Sequence, residues 1–475
     1  MPANWLEYSL GDLCSEITVG HVGSMTNEYR DSGIPFFRSK NIREYRIDWD
    51  DVKYISQSFH EKLKKSTLRP GDVAVVRTGK PGTACVIPDY IDEANCSDLV
   101  IMRVNPQRLS AYFLSYYLNS VANHQINSQL VGAVQQHFNV GAAKKLSITI
   151  PDRNEQERIV KVVKDLDDKI QLNHQINQTL EQMAQAIFKS WFVDFEPVKA
   201  KIAALKAGGS EEDALLAAMQ AISGKGESEI TRLQAEQPEQ YAELRATAEL
   251  FPSAMQESEL GEIPEGWGVS QIGDEVTVVG GGTPSTKNPD FWNSGEINWT
   301  SPKDLSNLAD KVLVETERKV TEAGLAKISS GLLPVDTVLM SSRAPVGYLA
   351  LAKIPVAVNQ GYIAMKCEKA LSPEFVIQWC AAHMDEIKSR ASGTTFAEIS
   401  KKNFKIIPVV MPTESLISIY SKQASSLYEA IENNVRESDT LAKLRDSLLP
   451  KLLSGELSVS DVESHIADEA EPANV

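Results

Sequence analysis

Between Pro151 and about Phe195 the apolar positions keep a coiled-coil rhythm that no other early segment approaches. Ile159, Val163, Leu166, Ile170, Leu180 and Ile187 are spaced 4, 3, 4, 10 and 7 residues apart, an a/d seam with gaps at Asn173, Asn177 and Ala184. Pro151 suits the start of a helix, Asp152 can cap it, and Glu155 and Glu157 lie near the positive end of its macrodipole. At about 1.5 Å per residue such a helix is a rod of roughly 60 Å, too long for one small domain to bury.

The pattern predicts a partner within the same chain. A shift of 261 residues puts Pro412 on Pro151, Leu427 on Leu166, Ile431 on Ile170, Leu441 on Leu180, Leu448 on Ile187 and Asn434 on Asn173. The two asparagines either fix the register of an antiparallel helix pair, at a cost in stability, or face water on an irregular helix.

Ahead of the first rod, residues 1–150 alternate short apolar runs with turn residues. Strands are expected after the turn at Gly33, after Leu68-Arg69-Pro70-Gly71-Asp72, at Ala84–Ile87 and at Leu99–Met102, with a helix at Ala111–Ser120 and a polar tip at Val131–Phe138. Thr78-Gly79-Lys80-Pro81-Gly82-Thr83 makes a glycine-rich basic loop. From about Leu260 the same order returns. Trp267 answers Trp5 at an offset of 262, Ile297–Lys303 answers Ile34–Lys40 at 263, and Leu332–Ser341 answers the stretch from Leu68 at 264. Offsets confined to 261–264 across 150 residues indicate a tandem duplication.

The expected fold class is therefore α+β: a mixed α/β domain followed by a long helix, repeated once, with the two helices pairing as an antiparallel coiled coil. The divisions are a first domain at 1–150, a central long helix at 151–198, a helical connector at 199–260, a second domain at 261–411, a C-terminal long helix at 412–454 and an acidic disordered tail at 455–475. The connector, broken by Gly208-Gly209 and Gly224-Lys225-Gly226, reads as two or three short helices that cover the rod or a partner.

Charge changes the picture only when divided. The chain carries a net charge of -16, yet residues 1–150 hold 16 basic against 15 acidic side chains and residues 261–411 hold 15 against 17. The acidity lies mostly outside the two domains, and a near-neutral domain can still present a basic face with modest, salt-dependent affinity for a polyanion. No apolar run has the length of a membrane span and the N-terminus has no basic-then-apolar pattern, which predicts a cytoplasmic protein. Five cysteines without a close pair fit a reducing compartment, and neither they nor the seven histidines show metal-ligand spacing.

Catalytic signatures fail on inspection. Asn288-Pro289-Asp290-Phe291 is one residue from the Asn-Pro-Pro-Phe of amino-methyltransferases, but Gly280-Gly281-Gly282-Thr283-Pro284 offers no following helix to hold a donor. Pro151-Asp152 followed by Asp167-Asp168-Lys169 resembles a nuclease pattern, but on one helix those carboxylates lie about 22 Å apart by rise alone and cannot share Mg²⁺. No phosphate-binding loop, zinc-protease helix or nucleophile elbow is present in the sequence. No catalytic residue and no metal ligand is expected.

Two diverged domains on rods of fixed length suit DNA with two half-sites and an unread gap, one helical turn of duplex being about 34 Å. The chain resembles the specificity subunit of type I restriction-modification systems over almost its whole length. The similar runs are Gly281-Gly282-Thr283-Pro284-Ser285, Ser342-Arg343-Ala344-Pro345-Val346-Gly347, Asn359-Gln360-Gly361, Leu260–Trp267 and the helix ends Ala186–Phe195 and Leu448–Gly455. The first repeat departs from them, with Asn95-Cys96-Ser97 in place of Asn359-Gln360-Gly361 and Gly79 in place of Arg343. The resemblance implies a non-catalytic subunit with two target recognition domains, each reading half of a bipartite DNA sequence. Its helices would bind two methyltransferase subunits that modify adenine. Two motor-nuclease subunits would add cleavage of unmodified DNA. S-adenosylmethionine, ATP and Mg²⁺ would belong to those partners.

Base reading needs Arg, Lys, Asn, Gln or hydroxyl side chains at groove edges. The candidates are Arg38, Lys40, Arg77, Lys80, Gln135 and Gln136 in the first domain, and Thr300, Lys303, Ser342, Arg343, Gln360 and Thr394 in the second. Pro81, Gly82, Pro345 and Gly347 are expected to shape the loops. The rival readings are an interaction scaffold that never touches DNA, weakly supported by the acidic balance, and a self-sufficient methyltransferase, disfavoured by the missing donor loop.

Overall fold

The computed structural model describes residues 5–122, 125–126, 137–393 and 397–463. The chain divides into two compact units, residues 1–170 with 439–475 and residues 171–438. Each unit contains one α/β domain and a stretch of both long helices, Arg153–Phe192 and Glu414–Ser454.

In the first unit an antiparallel sheet runs Ala84–Val86, Val73–Val76, Leu99–Val104, Cys14–Val19. The strand Val73–Val76 is buried on both faces, which is why it reads as an unbroken apolar run rather than an alternation. Helix Ala111–Ser120 covers one face through Phe113, Leu114 and Leu118. A second sheet is ordered Tyr29–Arg30, Lys53–Ile55, Ile34–Phe37, Ala94–Cys96, Thr67–Leu68, its one parallel pair joining Phe36 and Phe37 to Asn95 and Cys96. The ribbon Leu6–Ser9 with Ser147–Ile150 closes the domain and delivers the chain to the helix, where the Asp152 carboxylate accepts from the amides of Asn154 and Glu155 at 2.9 and 3.0 Å.

The second unit repeats this plan. Its sheet runs Thr277–Val279, Tyr362–Lys366, Thr337–Ser341, Leu349–Ala352, with Val312–Leu313 added at the edge. Its smaller sheet runs Arg318–Val320, Ile297–Thr300, Ala357–Val358, again with one parallel pair. Helix Pro373–Ala382 answers Ala111–Ser120, and the ribbon Gly268–Gln271 with Pro408–Met411 answers the closing ribbon of the first domain. The ladders correct one detail of the repeat. Val76 pairs with Leu99 and Ser341 with Tyr362, and the loop closures Gly82 to Val76 and Gly347 to Ser341 match, so the strand Val73–Val76 aligns at an offset of 265 and places Thr78, not Gly79, opposite Arg343.

Asn173, Asn177 and Ala184, the three gaps in the apolar rhythm, are all fully buried in their unit and stand at the missing 3-4 positions. Asn434 Nδ2 donates to Asn177 Oδ1 at 2.8 Å, while Asn173 Nδ2 donates to Glu437 at 2.7 Å and Ser438 at 3.2 Å. Numbers rising on one helix against falling numbers on the other make the pair antiparallel. The asparagines are therefore register contacts: the Asn434 side chain bonds to Asn177, and Asn173 Nδ2 also donates to the Asn434 carbonyl at 3.4 Å. In the first unit the corresponding polar node is Arg445, whose guanidinium lies 2.8 Å from Asp167. Tyr116 Oη donates to the same carboxylate at 2.7 Å, and the Arg445 cation stands 4.9 Å from the Tyr45 ring.

The connector forms four helices rather than two or three: Glu196–Lys206, Glu211–Ser223, Glu227–Glu236 and Pro238–Glu249. The extra break is at Gln237-Pro238, where proline occupies a first-turn position. Residues 459–463, expected within a disordered tail, are helical, and Val459 and Val462 bury against Leu449, Leu452 and Leu453. The acidic composition concealed two apolar residues one turn apart. No described helix is long and apolar enough to cross a membrane.

Candidate nucleic-acid interface

In each domain the two sheets bring the same three turns to one end. In the first, the turn after Ile34–Phe37, the basic loop after Val73–Val76 and the turn at Ser97-Asp98 meet. The Ser39 hydroxyl donates to the Asp98 carbonyl and carboxylate at 3.1 Å, Thr78 Oγ1 donates to the same carboxylate, and the Arg77 amide donates to the Asp98 carbonyl at 3.3 Å. In the second, the Asn359 amide donates to Thr300 O at 3.0 Å and the Ser342 amide to Gly361 O at 2.8 Å. The loop closures correspond as well, Gly82 N to Val76 O and Gly347 N to Ser341 O, both at 3.0 Å. A fourth segment approaches closely: a Cβ on Gly281 would lie 1.7 Å from Val358 O, and one on its counterpart Gly20 would lie 2.9 Å from Cys96 O. Only glycine lets that backbone pass.

The predicted side chains divide into three groups. Lys40 and Lys80 line one cleft of about 620 Å³ in the first unit, together with Arg43, Arg46 and Arg445, against the single acid Glu44. Among the described residues Arg46 and Lys80 make no ion pair, whereas Arg43 pairs with Asp48 at 3.0 Å. Arg38 is half-buried beside the cleft, bonded to the Asp51 carbonyl and 3.3 Å from its carboxylate. Arg77 is half-buried at the loop base. In the second unit Lys303 and Gln360 are exposed and Arg343 partly so. Gln360 Oε1 accepts from Thr283 Oγ1 at 2.7 Å, which ties the Gly281-Gly282-Thr283 segment to the Asn359-Gln360-Gly361 turn. Gln135, Gln136, Thr394 and most of the Val131–Phe138 tip lie outside the described residues.

Two candidates are misplaced. Thr300 is fully buried and its hydroxyl lies 3.0 Å from Tyr362 Oη. It sits where the first domain has the buried Phe37, as the matching parallel pairs show, so it is a core residue that happens to be polar. Ser342 is also buried, its amide and carbonyl bonded to Gly361 and Ile399 and its hydroxyl 3.4 Å from Glu398.

Sequence reasoning missed Arg43, Arg46, Lys53 and Arg318. Lys53 lies 2.5 Å from Asp51. Arg318 occupies the position equivalent to Lys53 and stacks its guanidinium 3.6 Å from the Trp292 ring centroid, with Trp299 on the adjoining side at 5.4 Å. The coincidence of two cations at one repeat position was a usable signal.

The sequence profile of the type I restriction modification DNA specificity domain matches residues 2–182 and again 264–418, one match per repeat. The chain belongs to the type I restriction-modification specificity subunits. It is 31% identical over 468 residues, 96% of this chain and all of the relative, to the specificity subunit of the type I restriction enzyme HindI of Haemophilus influenzae. It is 32% identical over 196 residues to the MjaIX specificity subunit of Methanocaldococcus jannaschii, covering 41% of this chain and 45% of that one. The S subunit of a type I restriction-modification system from M. genitalium superposes with a TM-score of 0.49 at 14% identity, over 94% of this chain and 96% of that one. In this specificity subunit the first family match spans an α/β domain and most of its long helix, and the second spans an α/β domain and the start of its long helix.

Proposed function

We propose that this specificity subunit reads a bipartite DNA target, the domain at 1–150 reading one half and the domain at 261–411 the other. The observation that carries the proposal is the recurrence of one loop framework with different side chains upon it. Thr78 stands where the second domain has the partly exposed Arg343, beyond strands whose ladders match residue for residue. A conserved scaffold with exchanged polar tips is what two different half-sites require, because phosphates position a protein and base edges specify the sequence. The basic cleft lined by Lys40, Arg46 and Lys80 supports the placement of duplex DNA at that end of the first domain.

In this reading the long helices set the gap between the halves and dock two methyltransferase subunits, with two motor-nuclease subunits added in the restricting complex. Adenine methylation and cleavage belong to those partners, and with them S-adenosylmethionine, ATP and Mg²⁺. Mapping modified adenines in the host genome with and without this gene tests the reading. Loss of one bipartite motif in the deletion strain is expected. Retention of every motif, with the partner methyltransferase active, would favour a scaffold that never touches DNA.

A further inference from the structure

The lysines at the two loop ends are already occupied. Lys40 and Lys303 hold equivalent positions, each three residues beyond its strand, Ile34–Phe37 or Ile297–Thr300. Lys40 pairs with Asp51, and Lys303 lies 2.9 Å from Glu317. Asp51 also receives Arg38 at 3.3 Å and Lys53 at 2.5 Å, and these cations, Lys40 foremost and then Lys53, hold its carboxyl well below the ordinary carboxylate range. Its backbone φ of 52° is left-handed, a conformation that disfavours a residue with a Cβ.

The acids themselves are not equivalent. The strand ladders align Asp51 with Thr316 and Glu317 with Val52, so each repeat supplies its carboxylate from a different position of the segment that leads into Lys53–Ile55 or Arg318–Val320. The same lysine has been given an acid twice, by different residues. This agrees with the near balance of charge in both domains, 16 basic against 15 acidic and 15 against 17.

On the reading that these domains bind DNA, we infer that Lys40 and Lys303 are phosphate contacts and that Asp51 and Glu317 are built-in competitors for them, holding down affinity for every sequence alike. A carboxylate and a phosphate accept from the same ammonium, so DNA must displace the acid or share the cation with it. Because phosphates carry no sequence information, this lowers absolute affinity and leaves discrimination intact. The subunit is then released from the vast excess of wrong sites without loss of selectivity.

The test uses the full chain assembled with its methyltransferase subunits, as wild type, Asp51→Asn, Glu317→Gln and Asp51→Asn with Lys40→Ala. Binding is measured to a duplex carrying the mapped motif and to a scrambled duplex across a salt series. Each acid-neutralising variant is expected to tighten both duplexes by roughly 3–10-fold at about 0.1 M salt and to steepen the log–log salt slope by up to about 0.9, one phosphate's worth. The ratio between duplexes stays within about twofold, and Lys40→Ala cancels the gain. Unchanged affinity and slope would overturn the inference. A change confined to one half-site would overturn it too, by making the acid a base reader. If Asp51→Asn fails to fold, Glu317→Gln, whose one ion pair among the described residues is with Lys303, decides the matter. If wild type prefers neither duplex, the DNA reading itself fails and this proposal falls with it.

Discussion

Replacing Arg343 with alanine removes the one arginine of the second loop framework that lies partly exposed beside Gln360. It follows strand Thr337–Ser341, keeps 38% of its side-chain surface, and has Glu398 at 3.7 Å. A bidentate guanidinium–guanine contact discriminates by about 1–3 kcal/mol. Giving up an exposed ion pair such as that with Glu398 costs about 0.2–1 kcal/mol. The net loss in Arg343→Ala is therefore about 1–2 kcal/mol, or roughly 5–30-fold in affinity. Competition binding with the second half-site intact or scrambled measures it. The loss should appear on the intact duplex and be absent on the scrambled one. Arg343→Lys should keep the salt dependence while losing most of the discrimination, since an ammonium cannot make the forked contact. Equal loss on both duplexes would refute the reasoning and assign Arg343 to a phosphate or to the fold.

Thr300→Val, which removes the hydroxyl 3.0 Å from Tyr362 Oη, should lower stability by about 1–2 kcal/mol in thermal unfolding without altering half-site preference; a changed preference would mean the side chain reaches DNA. Arg46→Ala and Lys80→Ala, in the cleft of the first unit, should each weaken binding to all sequences and flatten the salt slope by about 0.9. Asp167→Asn and Arg445→Met each break an ion pair whose side chains are 16% and 15% exposed, and each should destabilise the first unit by about 2–3 kcal/mol. Their combination should cost about 1–2 kcal/mol less than the sum, read from hydrogen-exchange protection of the helix around Val163; strict additivity would deny the contact.

The duplication and the helix seam were legible because both are periodic. A heptad rhythm and a near-constant offset survive substitution, and the three interruptions at Asn173, Asn177 and Ala184 proved to be seam positions filled by polar or small residues. The site was legible as loops but not as side chains. Lys40, Lys80, Arg343 and Gln360 stand at the loop ends, yet Thr300 and Ser342 are buried by their own sheets, because a polar residue in a strand-end motif reads the same whether it points out or packs beneath a tyrosine. The 265-residue register of the central strand was hidden by a one-residue drift that only the ladder resolves. Arg43 and Arg46 escaped notice because they are paired within a ribbon of two-residue strands, Ile42–Arg43 with Arg46–Ile47, too short to leave a pattern. The burial of Val459 and Val462 was masked by the acidic residues around them.

The central claim is that each repeat reads its own half of the target. Exchanging residues 1–150 for the matching domain of a relative with a different mapped target, then mapping modified adenines across the genome, tests it most directly. The account predicts a new motif in which one half and the gap length are retained and only the other half is replaced. A motif altered in both halves, or one left unchanged by an exchanged domain in an active complex, would contradict it.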